Sequence, residues 1–276
     1  MLYRVIEAAI MRLINSTNFS LIKQYFDCID DDGNCFILYW AELRCCFIHI
    51  VYSGLIFSDS KNICTEKATL KKCKRPLLDH ILQFNQPALR INGCWNRVSN
   101  PLSLILYKDA SGQELIWDCH HPKAHTTINY NDKTYEGLGY AETLHLPIKP
   151  WKLPIDELRW GRFLSEQYSI IWIHWKGAYP VNIIFCNGVA YHDASFEEKK
   201  IIFSGGTLTL LFEDIIILRQ GKLTKILTKM PWLKIIFHSR ILNTVEIKYK
   251  AKSSLSDNTK VIANGWSLFE TVNWGK

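Results

Sequence analysis

The chain has 276 residues, of which 48% are hydrophobic and 21% charged. That is the balance of a globular protein with a substantial core, not of a disordered chain. No apolar run reaches the roughly 18 residues of a membrane span. The net charge of +7 comes without a Lys/Arg-rich tract or a recognisable nucleic-acid module, so nucleic acid is not expected as a partner.

The chain opens with "MLYRVIEAAIMRLINSTNFS", read as an amphipathic helix over residues 1–20 with Leu2, Ile6, Ala9, Ile10 and Leu13 on one side. It lacks the pattern of a secretory leader, so a cytoplasmic location and free thiols are expected of the nine cysteines. A Cys28–Cys35 bridge across the turn that follows is geometrically open. "YFDCID", the turn "DDGN" and "CFILYWAEL" predict a hairpin, and "CFIHIVYSGLIF" a further strand. "PLLDHILQF" suggests one or two helical turns, and the Asn-Gly of "ALRINGCWNRV" a hairpin turn. "LSLILYKD" with "ELIWDCHH", then "TTINY" with "TYEGLGYAETLHL", form two more hairpins, the first ended by Pro122.

Three prolines between 147 and 154 interrupt the pattern and place a boundary near 150. Beyond it come "QYSIIWIHWKG", "VNIIFCNGVAYHD", "KKIIFSGG", "TLTLLFED", "WLKIIFHS", "TVEIKYKAK" and "GWSLFETVNW", with turn signals every 8–15 residues. This spacing predicts an all-β protein of antiparallel sheets, not parallel βαβ units. Two strand-rich stretches of similar length suggest two consecutive barrels, over 21–150 and 151–276. The first 150 residues hold 16 Lys+Arg against 15 Asp+Glu, and the remainder 17 against 11. The basic excess is concentrated where Lys alternates with apolar residues, as in "VEIKYKAK". It reads as a solvated strand face, with an anion-binding or membrane-surface role left open.

Three strands carry a glutamate inside a bulky apolar row. They are Glu42 with Phe36, Leu38 and Trp40; Glu142 with Leu138, Tyr140, Leu144 and Leu146; and Glu270 with Trp266, Leu268, Val272 and Trp274. An acid in a dry pocket stays protonated near neutral pH and can protonate an alkene, with aromatic faces stabilising the cation that results. Tyr140, two residues from Glu142, shares its face and can orient it. The competing reading is a structural ion pair with Arg159 or Arg162, which would leave Glu142 ionised. Glu42 and Glu270 are expected to be structural. "IWDCHHPKAH" invites a metal reading, but His120 and His121 point to opposite faces and no second ligand pair follows, so no metal is assigned. Asp118 and His120, which share a face, are expected to line a pocket rim or to hydrogen-bond each other. His174 is read as a core histidine, and no nucleophile elbow or phosphate loop occurs.

"GLGYAETLHLPIKPWKLPIDELRWGRF" and "GWSLFETVNW" resemble the lipocalin-like family that contains carotenoid 1,2-hydratase (hydroxyneurosporene synthase) and AttH-type proteins, related to lipocalin-like natural-product cyclases. The resemblance implies two consecutive lipocalin-like (calycin-type) barrels and a hydrophobic, unsaturated ligand of terpenoid, polyene or polyketide type. It implies hydration, isomerisation or cyclisation without a cofactor. Tyr140 and Glu142 fall where the hydratases carry a Tyr-x-Asp pair, with Thr143 in place of their histidine. The expected site is therefore Glu142 as acid and Tyr140 as its partner, with Trp40, Trp117, Asp118, His120, Trp160, Arg162 and Trp172 against the substrate. A non-catalytic carrier or sensor of a lipophilic ligand is the alternative.

Overall fold

The computed structural model describes residues 19–45, 48–222 and 238–275. Residues 1–18 of the helix expected at the N-terminus and most of "WLKIIFHS" fall outside these residues, while Phe19 and Ser20 open a strand and not a helix. The first sheet comprises β1 (Phe19–Asp30), β2 (Cys35–Cys45), β3 (Ile48–Ser58), β4 (Cys64–Thr69), β5 (Ile81–Gln86), β6 (Ile91–Arg97), β7 (Leu102–Lys108), β8 (Glu114–Tyr130) and β9 (Lys133–Leu146). The second comprises β10 (Glu157–Leu164), β11 (Ser169–Lys176), β12 (Val181–Cys186), β13 (Val189–Tyr191), β14 (Ser195–Phe196), β15 (Lys200–Phe203), β16 (Leu208–Lys222), β17 (Val245–Asp257) and β18 (Lys260–Asn273). A single helical turn, α1 (Ser239–Leu242), precedes β17.

Both sheets are antiparallel and curl into half-barrels. Their orders are β4-β3-β2-β1-β9-β8-β6-β5, with β7 also on β8, and β13-β12-β11-β10-β18-β17-β16-β15-β14. In each sheet the first strand pairs with the last, so the meander closes through its ends and opens in its middle. The architecture is that of two consecutive lipocalin-like barrels. Between them, residues 147–156 hold only a short 3-10 turn at Pro150–Lys152, as the prolines dictate.

Several local expectations are corrected. "PLLDHILQF" forms no helix; Ile81–Gln86 is strand β5, with alternate residues buried. Asn92 and Gly93 lie inside β6, and the turn falls earlier, at Pro87–Leu89, closed by a left-handed Arg90. Pro122 does not end β8. The strand runs through it with shifted register between Cys119 and Ala124, the kind of bulge that tolerates proline. The β1–β2 turn is as expected, with Gly33 at φ 82°. Cys28 and Cys35 are buried free thiols.

Three cores follow from the alternation of side chains. Phe26, Leu38, Trp40 and Trp95 fill the interior of the first sheet. Phe163, Trp172, Phe203 and Leu255 fill the interior of the second. The third lies between the sheets and draws from both, with Tyr25, Tyr39, Trp117 and Tyr140 facing Trp160, Ile173, Trp175 and Leu268. The central strands therefore bury both faces, which is why they read as almost continuously apolar.

Candidate active site between the two sheets

The two sheets bring equivalent positions together. On β9, Glu142 lies opposite Tyr25 of β1, and Tyr140 opposite Asp27. On β18, Glu270 lies opposite Trp160 of β10, and Leu268 opposite Arg162. Gly137 and Gly265 precede the two glutamates by the same spacing. A Cβ at either would meet a main-chain oxygen of the neighbouring strand, that of Ile29 or of Leu164. The repeated glutamate thus marks one place in two similar sheets.

Asp27 and Arg162, at matching positions of β1 and β10, join the sheets. Arg162 donates from Nη2 to Asp27 Oδ1 at 2.7 Å, from Nε to both carboxylate oxygens at 3.2 Å, and from Nη1 to the Trp266 carbonyl at 2.9 Å. Neither side chain is more than 1% exposed. Burial disfavours the Arg162 cation, but Asp27 more than offsets this and holds its pKa above the ordinary value.

Glu142 makes no ion pair with Arg159 or Arg162. Arg159 is held by Glu157 at 2.7 Å. Instead the Glu142 Oε2 accepts from the Tyr140 hydroxyl at 2.7 Å and from the Trp117 indole N–H, so both bonds fall on one carboxylate oxygen. Burial raises the Glu142 carboxyl above the ordinary carboxylate value, and the two donors offset this only in part. Tyr140 is fully buried beneath it.

Above Glu142 lies a cavity of about 380 Å³ between the sheets. Its walls are mostly apolar, among them Leu144, Leu158, Ile173 and Trp175, and Trp117 and Trp160 line it with Glu142. The site therefore sits in the seam between the sheets, outside both barrel interiors.

The other expected site residues lie elsewhere. Trp40 is buried in the first sheet's own interior. Asp118 accepts from Ser103 at 2.6 Å and lies 3.4 Å from His145, whereas His120 meets Thr143 at 3.1 Å, so the two do not bond each other. Arg162 is committed to Asp27 and is not among the residues lining this cavity. Trp172 borders a separate cavity of about 920 Å³ in the second sheet, with Phe212, Tyr249 and Phe269. His174 is half-buried and stacks on Phe196 at 4.4 Å.

The charges at the polar end of the seam were not legible as such. Glu246, Lys248 and Lys250 are buried at 5%, 2% and 1% exposure, so "VEIKYKAK" is not a solvated face. These residues of β17 turn towards the first sheet and pair off. Lys248 bonds Glu270 and lies 3.1 Å from Glu246; Arg219 bridges Glu246 at 3.0 Å and Glu66 of β4 at 3.2 Å; Lys250 donates to the Gly33 carbonyl at 2.7 Å. Burial pushes Lys248 down to about 8. Glu42, at an exposed end, pairs with Arg44 and His49, both at 2.7 Å. The alternation of charge and apolar residue was the available signal, and its partners lie in other strands.

Among the described residues there is no cluster of three or more His, Cys, Asp or Glu suited to a metal, and no helix long and apolar enough to cross a membrane.

Similar architecture occurs in solved structures. CghA with Sch210972 matches at a TM-score of 0.58 and 10% identity, over 93% of this chain and 89% of the other. Kievitone hydratase from Nectria haematococca matches at 0.57 and 10%, over 94% and 90%. A putative AttH from Nitrosomonas europaea matches at 0.54 and 7%, over 95% and 94%. The chain shares the lipocalin-like fold of these structures. At these identities the likeness is one of fold, and function must be argued from the site. No protein-family model matches the sequence, and no curated protein matches it.

Proposed function

We propose that the protein is an enzyme that binds a hydrophobic, unsaturated small molecule in the seam and promotes its hydration, isomerisation or cyclisation by acid catalysis. The observation that carries this is Glu142: a buried carboxyl with a raised pKa, held by two donors on one oxygen, at the wall of an apolar cavity. Protonated Glu142 gives its proton from Oε1 to an alkene carbon. The new C–H bond leaves a cation on the neighbouring carbon, which the faces of Trp117 and Trp160 stabilise. Water or an oxygen or alkene of the same molecule then forms the second bond, and the proton released returns to the Glu142 carboxylate. Tyr140 and Trp117 hold the carboxyl in one orientation, and the cavity walls hold the substrate in a reactive shape. The hydratase among the structures of like fold makes the addition of water the first reaction to test.

The test compares wild type with Glu142→Gln on a panel of unsaturated terpenoids and polyketides, measuring binding and turnover separately. Glutamine keeps the shape and cannot donate a carboxylic proton. The proposal predicts binding by both and turnover by wild type alone. Equal binding with no turnover by either protein across the panel would favour the carrier.

A further inference from the structure

The polar end of the seam holds donors that no protein acceptor uses. Glu246 and Glu270 are committed to Arg219 and Lys248, and the Glu142 Oε2 already accepts twice. Besides the Trp274 indole N–H, three donors that line the same cavity are uncommitted. Lys23, half-buried on β1, forms no ion pair among the described residues, although its charge acts on Glu246 and Glu142 from a distance; its ammonium lies 5.2 Å from the centre of the Tyr39 ring. The Tyr39 hydroxyl and the Trp160 indole N–H have no protein hydrogen-bond partner, although the two residues are only 8% and 7% exposed. All three surround one ring. Tyr25 lies 5.5 Å from Tyr39 and 5.0 Å from Trp160, and Lys23 precedes it by two residues on the same strand face.

Buried donors without partners are costly and uncommon, and a group of them beside a free cation specifies what must fill the space. A pure hydrocarbon would leave all three unpaired. An ammonium accepts from none of the three and would meet Lys23 as a like charge, although Glu142, Glu246 and Glu270 also line the cavity. An oxyanion accepts from all three through charge-assisted bonds. Building on the function proposed above, we infer that the substrate is an apolar molecule with an anionic oxygen head, a carboxylate being the simplest, and that Lys23, Tyr39 and Trp160 hold that head beside Glu142. Lys23 is then a specificity-determining residue, and the head group fixes which bond of the apolar body reaches the acid.

Calorimetric titration with decanoate, decan-1-ol and decyltrimethylammonium tests this without knowledge of the natural substrate. Wild type should bind decanoate about tenfold more tightly than the alcohol, with the ammonium weakest. Lys23→Met should remove that preference while leaving the alcohol's affinity within about twofold, and Tyr39→Phe should weaken decanoate severalfold. Circular dichroism melting of each variant checks that the fold is kept. Alcohol bound as tightly as decanoate, or a Lys23→Met protein that still prefers decanoate, overturns the inference while leaving the acid role of Glu142 standing. Failure of all three probes to bind overturns both.

Discussion

Replacing Arg162 with methionine removes a cation from the most enclosed ion pair between the sheets. The guanidinium makes three contacts with the Asp27 carboxylate and one with the Trp266 carbonyl, and neither partner meets solvent. The substitution leaves a buried carboxylate and a main-chain acceptor without their donor. Losing one member of such a pair costs about 3–5 kcal/mol. For a chain of this size that is a fall in melting temperature of roughly 10 °C. Asp27→Leu should cost a similar amount, because it strands the guanidinium. The double variant Asp27→Leu/Arg162→Met fills the space with apolar atoms and leaves no charge to compensate, so it should recover most of the loss. Denaturation by guanidinium chloride, with the full double-mutant cycle, measures all four proteins. Single variants that lose less than about 1 kcal/mol, or a double variant equal to the sum of the singles, would refute the role given to the pair.

Two further outcomes follow from the seam. Tyr140→Phe deletes a bond that favours ionised Glu142, so the Glu142 pKa should rise further and the alkaline limb of any acid-dependent pH profile should move up; a profile that stays put or moves down counts against the contact. Lys248, lowered to about 8, binds its proton less readily in the folded chain than in the unfolded one. Stability should therefore rise as pH increases from about 8 towards the ordinary lysine range, since the unfolded chain then holds the extra proton; Lys248→Met should flatten that rise in denaturation measured across the window.

The β class, several of the turns and the proline joint were legible because alternation and turn chemistry are local properties. Glu142 among Leu138, Tyr140 and Leu144 was visible for the same reason. Its surroundings were not. Strands that bury both faces look alike from either side, so the sequence pattern could not say whether Glu142 faced a barrel interior or a neighbouring sheet. Asp27 in "YFDCID" is a charge in an apolar strand, as conspicuous as Glu142, but its partner lies on the far side of the joint. The lysines of "VEIKYKAK" misled because alternation reports that one face differs from the other, and only the packing of β17 against the first sheet shows that the charged face is the more buried of the two. Asn-Gly in β6 and Pro122 in β8 are strong local signals overridden by the pairing of long strands on either side.

The account rests on the protonation state of one carboxyl. Isotope-edited infrared or carbon NMR titration of the Glu142 side chain, with Glu142→Gln identifying its signal, measures that state directly. The structure predicts a pKa above the ordinary glutamate value, because burial outweighs the bonds from Tyr140 and Trp117. A titration at or below the ordinary value would show an ionised glutamate in the seam, and the acid mechanism would fall.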